Sequence, residues 1–296
     1  STAHSLVART ELKQQFDTGL SRRLTLVVAP AGYGKTTLLL QWLNDLPQDL
    51  PCVFYSIEES DNDPAHLLAG LHTVISSNLP PGSSIPTVDE DQLTLSLSVI
   101  FQNAAHSTNS DWLLVLDDYH AIHTPGIHQA LNDLLNKPNW PVHMFIASRT
   151  LPQFPVIARL RVESELVEID EHHLRFSLAE ISSLFEAESL YLENSQLIRV
   201  AEHTEGWPAA LRLVCQAFKR ESGIKRENLL DRMGDENTMF DYLAGQVLNG
   251  QPLAIRRFLC RTAILPYLSV DLCDAYLHSV NSRAILDDLR RRHLFI

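Results

Sequence analysis

Residues 29–37, Ala-Pro-Ala-Gly-Tyr-Gly-Lys-Thr-Thr, combine glycines, a lysine and hydroxyl groups in the spacing that binds phosphate. Gly32 and Gly34 allow the turn to curl until backbone N–H groups point inward. Lys35 supplies a positive charge for the outer phosphates, and Thr36 offers a hydroxyl to Mg²⁺. The residues that we expect to contact phosphate are Ala31, Gly32, Tyr33, Gly34, Lys35, Thr36 and Thr37.

The segments on either side of this stretch are those that a P-loop requires. Residues 24–28 form an apolar run that predicts a strand, and residues 38–42 continue a helical pattern, so the glycine turn links a strand to a helix. Ala29 stands where the pattern usually begins with Gly, which is acceptable if its φ is negative. The plain alternative is a glycine turn that holds no ligand. The Gly-Lys-Thr triplet in this context favours the P-loop.

Two carboxylates end a second apolar run, Trp-Leu-Leu-Val-Leu-Asp-Asp at residues 112–118. A run without a polar break predicts a strand buried on both faces, as in a parallel sheet. Ligands of such sheets bind at the carboxyl ends of the strands. We therefore interpret this run as a Walker B strand, in which Asp117 holds Mg²⁺ and Asp118 orients or deprotonates the attacking water.

A third buried run, residues 142–149, ends in Ser-Arg. If its strand lies between the other two, Arg149 reaches the γ-phosphate, to which a guanidinium fork is suited. The alternative is a solvent-facing arginine at a strand end. Residues 52–57 predict a further strand, and residues 166–169 predict one at a sheet edge because their pattern alternates.

Length and composition indicate a globular protein of two or three domains, with 296 residues of which 45% are hydrophobic and 20% charged. No apolar run approaches the ~20 residues that cross a bilayer. The chain lacks a secretory signal and an initiator Met, so we interpret it as a processed or excised piece. Its cysteines form no C-x-x-C pair and predict reduced thiols in a cytoplasmic protein.

The charge balance argues against nucleic acid as a partner of this chain. Lys and Arg total 24 against 36 acids, which gives a net charge of −12. We expect no DNA binding by the chain alone, and no membrane binding. The basic patch at residues 290–293 ends a helical pattern, where cations complement the dipole. No Cys or acid cluster completes a zinc set, so we interpret these histidines as surface or hydrogen-bonding residues: His120, His123, His128, His172 and His173.

Helical patterns dominate both ends of the chain. Leu12, Phe16 and Leu20 fall on one face of an N-terminal helix that we expect Thr10 to cap. From Ser177, which opens a capping box, only helical patterns follow. They occupy residues 194–203, 207–220, 235–248, 253–260 and 281–292. Residues 294–296 begin a fresh apolar strand at the end of the chain, which predicts truncation.

Motifs from four parts of the chain coincide in one order. They are residues 29–37, Leu-Asp-Asp-Tyr-His at 116–120, Ser-Arg-Thr-Leu-Pro at 148–152 and Glu-Gly-Trp-Pro-Ala-Ala-Leu at 205–211. Together they resemble the STAND class of signal-transduction ATPases, and within it the large LuxR-type, maltose-activator-like transcription regulators. The resemblance runs over essentially the whole chain.

This resemblance implies an α/β fold, a P-loop parallel sheet flanked by helices, followed by a helical domain and a truncated winged-helix domain. The implied boundaries are residues 1–170, 171–240 and 241–296. It also implies adenine contacts from Val7 and Arg9, ahead of the first strand, and from Pro208 in a Gly-x-Pro motif.

The function that the resemblance implies is an ATP/ADP-binding switch with slow ATPase activity and Mg²⁺, which self-associates in its ATP form. A sensor region and a C-terminal helix-turn-helix would follow in the full-length protein. Two rival functions remain at this point. One is a self-standing P-loop motor or chaperone-like ATPase with fast turnover, and the other is a scaffold that binds nucleotide without hydrolysing it.

Overall fold

The chain divides into two compact units, residues 1–211 and residues 212–296. The computed structural model describes residues 7–47, 49–83, 85–86, 92–220, 226, 230, 252–265, 267–278 and 282–291. Within these ranges no helix has the length and apolar character needed to span a membrane.

A parallel sheet of five strands forms the centre of the first unit, in the order β2-β3-β4-β1-β5. Its strands are β1 Leu24–Val28, β2 Cys52–Ser56, β3 Trp112–Asp117, β4 Val142–Ser148 and β5 Leu166–Asp170. Every neighbouring pair is parallel. The predicted edge position of β5 is confirmed, and β4 lies between the P-loop strand and the acidic strand, as the interpretation of Arg149 required.

Helices connect and follow the strands. Those of the first unit and its boundary are α1 Thr10–Gly19, α2 Lys35–Asn44, α3 Pro64–Ser77, α4 Leu93–Thr108, α5 Pro125–Asn136, α6 Val156–Val162, α7 Glu171–Leu174, α8 Leu178–Ala187, α9 Asn194–Thr204 and α10 Pro208–Arg220. Those of the second unit are α11 Leu253–Thr262, α12 Val270–Leu277 and α13 Ser282–Arg291. Short 3-10 helices span Glu59–Asn62 and Tyr119–Ala121.

Side chains of β3 alternate between two apolar cores, one on each face of the sheet. Trp112, Leu114 and Leu116 pack in the core that α3 to α6 cover. Leu113 and Val115 pack in the core that α1 and α2 cover. All five are at most 1% exposed, and full burial of such a side chain contributes ~1.5–3 kcal/mol. The double burial predicted for this strand is confirmed.

Local capping signals fix several helix starts. The Asp63 carboxylate accepts the N–H of Ala65 at 3.1 Å, as expected for a cap that precedes a helix. The capping box between Ser177 and Glu180 is present. The predicted cap at Thr10 is wrong, because Thr10 is the first residue of α1 and Arg9 holds the cap position without a capping bond.

The helical patterns predicted after Ser177 appear as α9, α10, α11 and α13. The sequence did not predict α12, which begins where the Ser269 hydroxyl accepts the N–H of Leu272. The expectations for 235–248 and 294–296 lie outside the described residues. The boundaries at 170/171 and 240/241 stay predictions.

Candidate nucleotide-binding site

The turn between β1 and α2 is built by two glycines with positive φ. Gly32 has a φ of 82° and Gly34 one of 77°, a left-handed conformation that favours glycine. Ala29 has no positive φ, so the condition on its replacement of Gly is met. Gly34 caps α2, and the first N–H groups of that helix therefore open onto the turn. Such an arrangement suits an anion.

Lys35 lies folded across its own loop. It is 7% exposed, and its Nζ donates to the carbonyl oxygens of Ala29 at 2.7 Å and Pro30 at 3.1 Å. Burial lowers the pKa of Lys35, and the negative charge of Asp118 opposes that shift. A phosphate would offer the ammonium a charged acceptor in place of these neutral ones, and charge-assisted bonds are roughly twice as strong.

Thr36 and Asp117 meet at the foot of the P-loop. The Thr36 hydroxyl donates to Asp117 Oδ2 at 2.6 Å. Asp117 is 1% exposed, and its other oxygen, Oδ1, is buried without a hydrogen-bond partner among the described residues. Burial raises the pKa of Asp117. Mg²⁺ takes hard oxygen ligands, so a hydroxyl beside a buried carboxylate with one unused oxygen fits that ion.

The ends of β3 and β4 bring Asp118 and Arg149 to the same sheet edge as the P-loop. Asp118 follows the last residue of β3 and has a φ of 54°. Arg149 follows the last residue of β4, is exposed, and forms no hydrogen bond or ion pair with any residue that the structure describes. Its charge acts on the buried Lys35. Arg149 is therefore an unpaired cation beside the P-loop lysine.

The other residues of the turn are accessible. Ala31 and Thr37 are exposed, and the Tyr33 ring lies 6.3 Å from that of Trp207. The Ala209 N–H donates to the carbonyl oxygen of Gly32 at 3.1 Å. Pro208, the first residue of α10, is thus placed next to the P-loop turn.

Val7 and Arg9 contact different parts of the protein. The Val7 carbonyl accepts from Gln41 of α2 at 3.4 Å. The Arg9 guanidinium donates to the carbonyl oxygens of residues 173–175 at 2.6–3.3 Å and to Glu180 at 3.0 Å. The Arg9 side chain is 8% exposed and fully engaged with protein. Its adenine contact stays a prediction, and only its backbone is available for it.

Sequence reasoning missed the position of His120. Its Nδ1 is buried, has no hydrogen-bond partner in the described part of the chain, and lies 3.8 Å from Asp118 Oδ1. Burial lowers the pKa of His120, and the charges of Arg149 and Lys35 lower it further. The signal in the sequence was the position of His120, two residues after Asp118. The interpretation of His120 as a surface or hydrogen-bonding residue did not use that signal.

Two family profiles match the chain. An AAA domain matches residues 19–154, and the MalT winged helix domain matches residues 244–296. The first range contains the P-loop, Asp117 and Arg149, so the part of the candidate site that would bind phosphate and Mg²⁺ lies within the matched AAA domain, whereas Val7, Arg9 and Pro208 lie outside it.

Curated relatives align with nearly the whole chain. The HTH-type transcriptional regulator MalT of Yersinia enterocolitica is 32% identical over 284 residues, which are 93% of this chain and 31% of that protein. MalT of Yersinia pestis is 30% identical over 300 residues, which are 98% of this chain and 32% of that protein. The chain thus spans about a third of the length of the curated relatives it matches.

Solved structures share the fold at low sequence identity. A STAND protein with a tetratricopeptide repeat sensor from Pyrococcus horikoshii has a TM-score of 0.57 at 14% identity, over 91% of this chain and 36% of that one. A Walker-type ATPase of Pyrococcus abyssi has a TM-score of 0.51 at 15% identity, over 97% and 90%. The matched domains and the sequence relatives show that the chain is similar to MalT regulators over nearly its whole length, and the fold it shares with the solved structures is that of a P-loop ATPase.

Proposed function

We propose that the chain is an ATP/ADP-binding switch, the regulatory module of a LuxR-type transcription regulator. The observation that carries this proposal is the buried Asp117 carboxylate beneath a P-loop whose lysine is also buried. One oxygen of Asp117 accepts from the Thr36 hydroxyl, and the other has no hydrogen-bond partner among the described residues. A divalent cation would bind the carboxylate oxygen that has no partner, and a polyphosphate would pair with the buried lysine. The P-loop residues 31–37 bind the phosphates, and Thr36 and Asp117 hold Mg²⁺, which supplies positive charge to the phosphate oxygens.

The adenine lies against Val7, the backbone of Arg9, and Pro208. Support comes from the bond between Ala209 and Gly32, which holds the start of α10 at the P-loop turn. A base bound there would bridge the P-loop and the helical segments that follow β5. Bound ADP would then hold these parts together, and exchange for ATP would free them.

We expect a single copy to hydrolyse ATP slowly, because we expect the arginine finger of the site to come from a second copy. Lys35, Thr36, Asp117 and Asp118 act within the chain. An arginine finger supplied by a neighbouring molecule accelerates such reactions by ~10³–10⁵. We therefore assign the ATP form to a self-associated state in which a second copy completes the site. Sensor and helix-turn-helix regions, which the longer relatives have room for, would read out that assembly, and the chain alone binds no DNA.

Calorimetry with ADP and ATP tests the site. Lys35→Ala removes a charge-assisted contact worth ~1.5–3 kcal/mol, so nucleotide affinity should drop ~10- to 150-fold. Lys13→Ala is the matched control, because Lys13 is an exposed lysine that pairs with Asp45 on the surface. Unchanged affinity in the Lys35 variant would contradict the P-loop assignment.

Steady-state turnover of the purified chain separates the switch from its rivals. A switch binds nucleotide and turns over slowly. Tens of turnovers per second from a monomer would indicate a motor or chaperone-like ATPase, and tight binding without ADP formation would indicate a scaffold.

A further inference from the structure

The loop that follows β3 begins with a residue in an uncommon backbone conformation. Asp118 has a φ of 54° and a ψ of 33°, in the left-handed region that few residues other than glycine adopt. Such a conformation persists only where the surrounding structure holds it in place. The position of the Asp118 carboxylate at the carboxyl edge of the sheet therefore depends on what fixes the residues after it.

Tyr119, the next residue, is fixed by the core. It is 1% exposed, and its hydroxyl lies 2.7 Å from His128 Nδ1 of α5. Its ring centroid lies 5.6 Å from that of Phe154. These contacts secure the first residue after Asp118, but not the residues that lead from it into α5.

Asn62 provides a second anchor, from the end of the 3-10 helix that follows β2. Its Nδ2 donates to the carbonyl oxygen of Ala121 at 2.8 Å. Its Oδ1 accepts the N–H groups of His123 at 2.6 Å and Thr124 at 3.2 Å. The Thr124 hydroxyl donates in return to the carbonyl oxygen of Asn62 at 2.7 Å. A side-chain amide offers both donors and an acceptor, so Asn62 satisfies three backbone groups of the loop at once.

The segment that carries Asn62 is itself held in place. The Asp61 carboxylate is 1% exposed and accepts the Tyr55 hydroxyl at 2.8 Å. The N–H of Ile57 donates to the carbonyl oxygen of Asp117 at 3.0 Å, so the chain after β2 stays paired with the last residue of β3. Asn62 therefore links the loop after β3 to a fixed point beside the neighbouring strand.

We propose that Asn62 is a positioning residue for ATP hydrolysis, which acts through Asp118. By tying the loop after β3 to the end of β2, it sets where the Asp118 carboxylate lies relative to the attacking water. This role rests on the proposed function, in which Asp118 orients that water. Misplacement of a catalytic group by about 1 Å is enough to slow a reaction ~100-fold. The phosphates bind to the P-loop, so loss of the Asn62 side chain should change the rate and not the affinity.

Single-turnover formation of ADP from ATP, with calorimetry of both nucleotides, tests this role. In Asn62→Ala, hydrolysis should slow ~10- to 100-fold, while ADP and ATP affinities stay within about twofold. Asp118→Asn should also slow hydrolysis. The double variant should be no slower than Asp118→Asn alone, because residues that act as a unit are not additive.

A milder substitution at the same position keeps the test valid if the alanine variant does not fold. Asn62→Asp retains an oxygen that accepts from His123 and Thr124, and it loses only the donor to Ala121. We expect it to fold and still to slow hydrolysis ~10-fold, because the loop is then held at one end only.

Arg23→Ala is the matched control for a general loss of stability. Arg23 precedes β1, and its guanidinium donates to the carbonyl oxygens of Leu135 and Lys137 after α5 begins to end. It thus ties a connection to a strand at the opposite, amino edge of the sheet. Arg23→Ala should lower the melting temperature without slowing hydrolysis.

Hydrolysis by Asn62→Ala within about threefold of the unmodified chain would overturn the proposal, and the same threshold applies to Asn62→Asp if the alanine variant does not fold. An additive double variant, or equal slowing in Arg23→Ala, would overturn it as well. Joint loss of ADP and ATP binding in Asn62→Ala would show a structural role instead. An unmodified chain that binds ATP and forms no ADP would also overturn the proposal and leave the nucleotide site standing. Failure of the nucleotide site itself shows in unchanged affinity of Lys35→Ala.

Discussion

Arg149 shows at the scale of a single residue how position decides chemistry. Its sequence neighbourhood, a buried run that ends in Ser-Arg, leaves open whether Arg149 contacts phosphate or faces solvent. Its place at the end of β4, between the P-loop strand and the acidic strand, puts an unpaired guanidinium beside Lys35. Residues such as Lys35 and Asp117 were predictable because a local motif or a buried run marks them.

Arg149→Ala should weaken ATP binding more than ADP binding, because only ATP supplies a γ-phosphate for the guanidinium fork. We expect about a tenfold loss or more for ATP and little change for ADP, measured by calorimetry. Arg161→Ala is the control, since Arg161 is exposed on α6 and pairs with Glu168. Equal losses for the two nucleotides would return Arg149 to the role of a surface residue.

At Gly206 the backbone conformation requires glycine. It has a φ of 72°, and a Cβ there would lie 2.5 Å from the carbonyl oxygen of Phe176. Gly206→Ala should therefore destabilise the fold by ~1–3 kcal/mol, seen as a lower melting temperature. Gly126→Ala, where a Cβ has open space within α5, should be neutral or slightly stabilising. Equal melting temperatures for the two variants would contradict this account.

At the scale of elements, Arg9 joins the start of α1 to the junction of α7 and α8. Its guanidinium lies 4.5 Å over the Phe176 ring and pairs with Glu180. The sequence revealed only the local role of Glu180 in a capping box, because its partner Arg9 is 171 positions away. Strands were found from buried runs, and α9 and α10 from their apolar periodicity. We call the ion pair between Arg9 and Glu180 the latch. It depends on tertiary contacts that no local sequence pattern encodes.

A double-mutant cycle of Arg9→Ala and Glu180→Gln should give a coupling free energy of ~1–3 kcal/mol in thermal or urea unfolding. The Arg175–Glu205 pair close by is more exposed and should give a smaller coupling. No difference between the two cycles would show that the latch contributes no more than a surface ion pair.

The same latch should respond to acid. Burial alone would raise the pKa of Glu180, but the hydrogen bonds from Arg9 and Ser177 outweigh it and the pKa is lowered. A carboxylate with a lowered pKa in the folded state stabilises the fold above its ordinary pKa of 4.5 and loses that contribution as the pH falls below it. The coupling free energy should therefore decline on acidification below that value and remain constant near neutrality.

At the scale of the whole molecule, the proposed switch predicts that ADP stabilises the fold by mass action. ADP at 100 times its dissociation constant adds ~2.7 kcal/mol to the free energy of unfolding, so the melting temperature should rise. Pro208→Ala should reduce that rise if the proline contacts adenine. Pro64→Ala is the matched control, because Pro64 likewise begins a helix, α3, after its cap. Identical melting with and without ADP would contradict the proposed function.

The strand order has a consequence for how the chain folds while it is being synthesised. β1 is translated first among the strands, yet both of its neighbours, β4 and β5, come last. At ~5–20 residues per second, the P-loop strand leaves the ribosome on the order of ten seconds before either partner exists. During that interval its apolar residues and unpaired backbone have no native contact within the sheet. Chaperone binding to nascent chains should therefore be strongest between the emergence of β1 and that of β5.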